Sequence, residues 1–130
     1  MWPDAGVYQI WIDVPRSVSV RVGALGRLRL SAGTYVYTGR AARGLRARVR
    51  RHARGAPRPH WHIDYLLAHP GVRVRKIVLA SENASDECRV NRRGAVEWIA
   101  VPRFGASDCR AGCPGHLWQA KRRARCVNAG

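Results

Sequence analysis

Thr34-Tyr35-Val36-Tyr37-Thr38-Gly39, followed closely by Arg43-Gly44-Leu45-Arg46-Ala47-Arg48-Val49-Arg50-Arg51-His52-Ala53-Arg54, is the stretch on which the fold turns. The first part is β-branched and aromatic and alternates with period two, as a strand does. In the second part the apolar positions are Leu45 and Val49, four apart, as on one face of a helix. Residues 34–39 therefore read as a strand and Arg43 to Arg54 as a helix, ended by Gly55 and Pro57.

Upstream, Gly6-Val7-Tyr8-Gln9-Ile10-Trp11-Ile12-Asp13 has the same strand composition. Val18 to Val22 alternates with polar residues and reads as another strand. Gly23-Ala24-Leu25-Gly26 turns the chain, and Arg27 to Leu30 continues a hairpin; Ser31-Ala32-Gly33 turns it again. The first third is thus expected to be a small antiparallel sheet. Downstream, Ala56-Pro57-Arg58-Pro59 is a loop, His60 to His69 a short helix stopped by Pro70-Gly71, and Val72 to Ala80 a late strand. Asn83 to Arg93 reads as a helix with Asp86 and Glu87 in its early turns, Glu97 to Val101 as a short strand, 105–115 as loop and His116 to Arg125 as a final helix. The order, sheet first and then helices with a returning strand, gives an α+β class: a small central antiparallel sheet flanked by helices. No internal repeat interrupts it, and a single domain over 1–130 is expected.

Composition narrows the function. Lys plus Arg number 24 against 8 acids, a formal net charge of +16, and the only lysines are Lys76 and Lys121. An arginine-dominated surface suits phosphate oxygens, which its planar fork holds in pairs. Nucleic acid is the expected partner. A membrane is not, because no apolar run reaches spanning length and no helix carries a wide apolar face. No signal peptide is read at Met1-Trp2-Pro3-Asp4, so the cytoplasm is the expected location. There thiols stay reduced, which makes Cys88, Cys109, Cys113 and Cys126 metal ligands or thiols rather than a disulfide framework.

The helix at 43–54 carries two kinds of arginine. With Leu45 at the centre of the buried face, Val49 lies about 40° to one side, and His52 and Arg48 about 20° and 60° to the other. Arg43, Arg46, Arg50, Arg51 and Arg54 project onto the outer arc, where with Arg40 they offer a surface for a polyanion. Arg48 and His52 sit where helix meets sheet. An arginine at such a margin loses water and needs an anion, either a bound phosphate or a structural carboxylate. Tyr35 and Tyr37 share one strand face; either core packing or function accounts for a tyrosine there and at Tyr8. His60, His62 and Asp64 lie close in sequence, but a helix spreads them around its circumference; His62 and Asp64 remain candidates for the site or its immediate support. Cys109, Cys113 and His116 form a C-x3-C-x2-H cluster in a Gly/Pro-rich loop, and Cys88 is a further donor for structural zinc; buried thiols are the alternative.

Gly6-Val7-Tyr8 and Tyr37-Thr38-Gly39, in that order, resemble the paired motif that names the GIY-YIG nuclease superfamily, with Thr38 where isoleucine or valine is usual. Leu45-Arg46-Ala47-Arg48-Val49 resembles the family helix that supplies an essential arginine, here Arg48, and His52 matches a position where the family often has His or Tyr. His60-Trp61-His62-Ile63-Asp64-Tyr65-Leu66-Leu67 and Phe104-Gly105-Ala106-Ser107-Asp108-Cys109, with His116-Leu117, are similar to the small Uri-type branch, domain-of-unknown-function family 123. The likeness covers roughly residues 6 to 118.

That resemblance implies an endonuclease hydrolysing phosphodiester bonds with magnesium or manganese, in DNA repair or processing. It implies Tyr8 as general base, helped by Arg48 and the metal lowering its pKa, and Tyr37 positioning water or phosphate. It implies Arg48 neutralising phosphate charge, His52 relaying a proton or orienting phosphate, and one metal-bound carboxylate on a later helix. Glu87 follows the Val72 to Ala80 strand as the family order demands, with Glu82 and Asp86 close by. One carboxylate with several waters suits magnesium. A catalytically silent nucleic-acid-binding module and a zinc-stabilised adaptor for a repair-protein partner are the competing readings.

Overall fold

The computed structural model describes residues 2–54, 61–93, 98–105 and 113–120. Along the chain run β1 (Gly6–Val14), β2 (Val18–Val22), β3 (Gly26–Leu30), β4 (Gly33–Ala41), α1 (Leu45–Arg54), α2 (His62–Leu67), β5 (Arg73–Ser81), α3 (Glu87–Arg92), β6 (Trp98–Ala100) and β7 (Leu117–Ala120). The fold is α+β. Five strands form one antiparallel sheet in the order β5-β1-β4-β7-β6, and β2 and β3 form a separate two-stranded ribbon.

The sheet's centre explains the composition of its strands. β4 is flanked by β1 and β7, and Tyr35, Val36, Tyr37 and Thr38 are all buried, so both of its faces are covered. β1 alternates: Tyr8, Ile10, Ile12 and Val14 enter the core while Gln9, Trp11 and Asp13 stay partly exposed. Leu45 of α1, Ile63 and Leu66 of α2, and Val18, Val20, Val22 and Leu30 of the ribbon join that core, with Phe104 and Leu117. On the other sheet face α3 brings Val90 and Asn91 to a hollow lined also by Trp11, Val36 and Trp118. Trp118 Nε1 donates to Asn91 Oδ1 at 2.8 Å, and Asn91 Nδ2 donates to the Gly115 carbonyl at 2.8 Å. A buried amide satisfied on both sides pins α3 to β7 and to the turn before it.

Three expectations need correcting. His116 to Arg125 is not helical where described: residues 117–120 form β7, with Leu117 opposite Tyr37 and Trp118 opposite Val36. The free edge of β4 offers a full ladder, and Leu117 and Trp118 bury their side chains by taking it; residues 121–125 lie outside the described residues. The first third also does not make one sheet. β2 and β3 peel away as a ribbon over the core, which lets β1 and β4 pair directly. The helix expected over 83–93 begins as a 3₁₀ turn at Ala84–Asp86 and becomes α-helical only at Glu87. No helix among the described residues is long and apolar enough to cross a membrane.

Candidate active site

Tyr8 lies directly opposite Gly39 across the β1–β4 ladder, at the end of the sheet where β1 starts and β4 finishes. A register shift in the β1–β5 pairing falls between Val7 and Tyr8, an irregularity of the kind that re-aims a side chain beside a site. Gly39 leaves room for the tyrosines. A Cβ there would stand 2.6 Å from Tyr8 Oη, 2.7 Å from its Cζ and 2.9 Å from Tyr37 Cε2. Gly39→Ala should therefore destabilise the fold by about 2 kcal/mol through overpacking. It should also displace the Tyr8 phenol, which urea unfolding and a crystal structure of the variant would register. A variant as stable as wild type with Tyr8 unmoved would contradict this packing account.

The two tyrosines open onto a cavity of about 380 Å³, lined by Tyr8, Tyr37, Arg40, Ala42, Arg48, Trp61, Glu87, Gly105 and His116. Five elements or turns thus converge: β1, β4, α1, the start of α2, and α3 with the segments before β7. Six of the residues picked from sequence (Tyr8, Tyr37, Arg40, Arg48, Glu87 and His116) share this one lining. Arg48 reaches it because Nη1 donates to the Arg40 carbonyl at 2.6 Å while the guanidinium stacks 4.5 Å from the Trp61 ring centroid. Both contacts hold the planar fork at the mouth of the cavity.

His52 lies one layer behind. Its Nε2 is 2.9 Å from Tyr8 Oη, and the two rings are 5.4 Å apart. Its Nδ1 is 3.8 Å from Asp64 Oδ1. Burial pushes the His52 pKa down from 6.5 to about 4; Asp64 works against that, and Arg48 and Arg51 add to it. His52 is therefore neutral at pH 7, and with its proton on Nδ1 it accepts the Tyr8 O–H at Nε2. Because the unfolded chain binds this proton more readily, stability is full above about pH 6.5 and falls as pH drops towards 4. Between pH 7 and pH 5 wild type should lose about 2 kcal/mol in urea unfolding that His52→Gln does not lose. Equal pH dependence in both proteins would place the titrating group elsewhere.

The Tyr8 phenol departs from expectation. Burial holds its pKa well above the usual value; Arg48, the main opposing influence, offsets only part of this, and Glu87 and Asp64 raise it further. Tyr37 is likewise held well above the usual value, by burial first. A neutral Tyr8 donating to His52 is therefore the resting state, rather than a phenolate prepared by Arg48.

Among the described residues Glu87 is the acid that reaches the cavity, with 19% of its side chain exposed. Arg40 Nε stands 3.5 Å from Oε1 and His116 Nδ1 3.3 Å from Oε2. The neighbouring acids turn elsewhere: Asp86 pairs with Arg89 at 2.8 Å and accepts from Ser81 Oγ at 2.7 Å, and Glu82 is exposed. A single oxygen donor on the wall of a roomy polar cavity fits a hard, water-retaining ion such as magnesium, with space left for phosphate.

Asp64 and His62 lie outside the cavity lining. Asp64, 3% exposed, accepts from Arg51 Nη2 at 3.0 Å and from the Trp61 backbone N–H at 2.9 Å. His62 Nδ1 accepts the Gly105 N–H at 2.8 Å and its ring meets Phe104 edge-on, so it carries the loop that faces Tyr37. Arg51 departs from the outward set: its long side chain wraps back to Asp64 and sits 5.1 Å from the Trp61 centroid. Arg46, Arg50 and Arg54 are exposed along α1, Arg43 is exposed in the bend before it rather than in the helix expected from residue 43, and Arg40 is exposed at the cavity.

Of the cysteine cluster, Cys88, Cys113 and His116 bring one donor atom each within 4.8 Å of one another. Cys109, like His60 and Cys126, falls outside the described residues. Trp61, like Ala42 and Gly105, is a cavity residue to which the sequence reading gave no functional role. The available signal was an aromatic residue opening the helix that follows an arginine-rich one, the composition from which cation–π stacks are built.

Comparison with curated proteins and with solved structures finds no match. A protein-family model does match, over residues 7–129, and so includes the whole cavity lining. The chain belongs to the family described as a domain of unknown function, DUF123.

Proposed function

We propose that this protein is a metal-dependent endonuclease of the GIY-YIG type, hydrolysing phosphodiester bonds in nucleic acid, with DNA the expected substrate. The observation that carries the proposal is the convergence of Tyr8, Tyr37, Arg48 and Glu87 on one polar cavity, with His52 bonded to Tyr8 behind it. The arginines exposed on α1, the helix that supplies Arg48, suit it to hold the phosphate backbone without reading sequence.

Magnesium or manganese bound at Glu87 supplies Lewis-acid polarisation of the phosphate and of the leaving oxygen. The chain's own residues do the rest. Arg48 forks onto nonbridging oxygens and neutralises the charge that grows there. Tyr37, fixed edge-on against Phe104, shapes the wall on which water and phosphate rest. Water forms the new bond to phosphorus as the bridging bond breaks. Its proton passes to Tyr8 Oη while the phenol proton moves to His52 Nε2, and the leaving oxygen takes a proton from solvent. A neutral tyrosine coupled to a neutral histidine carries out this exchange without a free phenolate. Asp64 stabilises the imidazolium that forms, being the carboxylate nearest Nδ1.

A catalytically silent nucleic-acid-binding module is the second reading, and the raised Tyr8 phenol is the observation that favours it. Labelled single-stranded, duplex and branched DNA and RNA, incubated with magnesium or manganese, separate the two. Cleavage of any of them, lost in EDTA, supports the nuclease. Tight, salt-sensitive binding with no cleavage in either metal supports the silent module. Neither binding nor cleavage points to an adaptor for a repair-protein partner.

A further inference from the structure

We propose that Cys88, Cys113 and His116 bind a zinc ion, and that this ion fixes the orientation of Glu87. Cys88 follows Glu87 on α3, while Cys113 and His116 flank the turn that leads into β7. One donor atom from each lies within 4.8 Å of the others. Cys113 and His116 are buried, His116 to 1% exposure. Two thiols and an imidazole are the soft and borderline donors that select zinc over magnesium. Tetrahedral zinc holds sulfur donors roughly 3.8 Å apart, a spacing of the same order as the 4.8 Å within which these donor atoms lie.

The turn carrying two of the donors is held by its own backbone hydrogen bonds. Arg103 N–H donates to the Pro114 carbonyl at 2.6 Å, His116 N–H to the Phe104 carbonyl at 2.6 Å, and Thr38 N–H to the His116 carbonyl at 2.9 Å. Asn91 holds the Gly115 carbonyl from α3, the helix that also carries Cys88. Donors from two distant parts of the chain are thus pre-positioned on one hydrogen-bonded frame, as a structural metal site requires.

His116 links this site to the cavity. Its Nδ1 lies 3.2 Å from the Thr38 carbonyl and 3.3 Å from Glu87 Oε2. Two oxygens facing Nδ1 place the imidazole proton there and leave Nε2 as the metal-binding nitrogen. Zinc on Nε2 locks that tautomer, so Nδ1–H is directed at Glu87, the carboxylate–histidine–zinc arrangement in which the outer partner is held in place. This link rests on the reading of Glu87 as the catalytic carboxylate, whereas the zinc site itself does not.

Metal analysis of protein produced with zinc in the medium should give about one zinc per chain. Cobalt added to metal-stripped wild type should produce a thiolate-to-cobalt charge-transfer band and the strong visible bands of tetrahedral cobalt. Cys88→Ser and Cys113→Ser should each lose most of the zinc. Glu87→Gln should keep it, so a failed nuclease assay and a failed zinc site give different results. Wild type without zinc and without a thiolate–cobalt band would overturn the proposal, and this readout needs no variant to fold. Full zinc content in the Cys88→Ser/Cys113→Ser double variant would overturn it as well.

Discussion

Arg48→Ala should lower the cleavage rate by about two to three orders of magnitude while weakening nucleic-acid binding only a few-fold. The difference arises because Arg48 is one of many cations on this surface but the one whose fork is aimed into the cavity from α1. The Arg40 carbonyl at 2.6 Å and the Trp61 ring at 4.5 Å hold it there. Binding energy spread over the exposed arginines of α1 survives its loss, whereas charge developing on the phosphate in the transition state meets no equivalent donor. Arg48→Lys should recover little, since a point charge on a flexible stem neither stacks on Trp61 nor forks onto two oxygens. Arg48 is only partly buried, so the variant's unfolding curve should stay near that of wild type. Rates measured under single-turnover conditions, with binding followed in parallel, make the comparison. Equal losses in affinity and in rate would assign Arg48 to anchoring and not to chemistry.

Asp64→Ala carries the largest expected effect on stability, a loss of about 3 kcal/mol. The carboxylate is almost wholly buried. It joins α2 to α1 through Arg51, caps the first turn of α2 through the Trp61 N–H, and stands 3.8 Å from His52. Its removal leaves a half-buried guanidinium without that partner and an uncapped helix of six residues, too short to persist alone. Because Arg51 and Arg48 both lie over the Trp61 ring, loosening α2 also loosens the wall of the cavity. Asp64→Asn keeps an acceptor for the Trp61 N–H and should lose roughly half as much. Urea unfolding at pH 7 measures both. An Asp64→Ala protein within 0.5 kcal/mol or so of wild type would mean that α2 is held by its apolar face alone.

What could be read from sequence followed from how local each determinant is. β1, β4 and α1 carry their period in their own residues: Tyr8, Ile10 and Ile12 alternate, and Leu45, Val49 and His52 follow one helix face. Helix geometry alone turns Arg48 and His52 of α1 towards the sheet, whereas their convergence with Tyr8 followed only from the family resemblance. β7 was not legible, because Leu117-Trp118-Gln119-Ala120 is too short to fix a period and becomes a strand only through the open edge of β4. Arg51 was misplaced because a helical wheel assigns a direction to the Cα–Cβ bond, and a long side chain can curl back to a carboxylate on the next helix. His116 was singled out for its neighbouring cysteines. Its contact with Glu87 depends on the turn into β7, which no local pattern encodes.

The most direct test of the central claim is a comparison of wild type and Glu87→Gln on the best-cut substrate, with magnesium, with manganese and with EDTA. The substitution keeps the shape of a side chain that is partly exposed on the cavity wall and removes its charge. Wild type should show metal-dependent cleavage, and Glu87→Gln should lose it almost completely while binding substrate within a few-fold of wild type. Cleavage by Glu87→Gln at the wild-type rate, or wild-type cleavage that persists in EDTA, would contradict the claim.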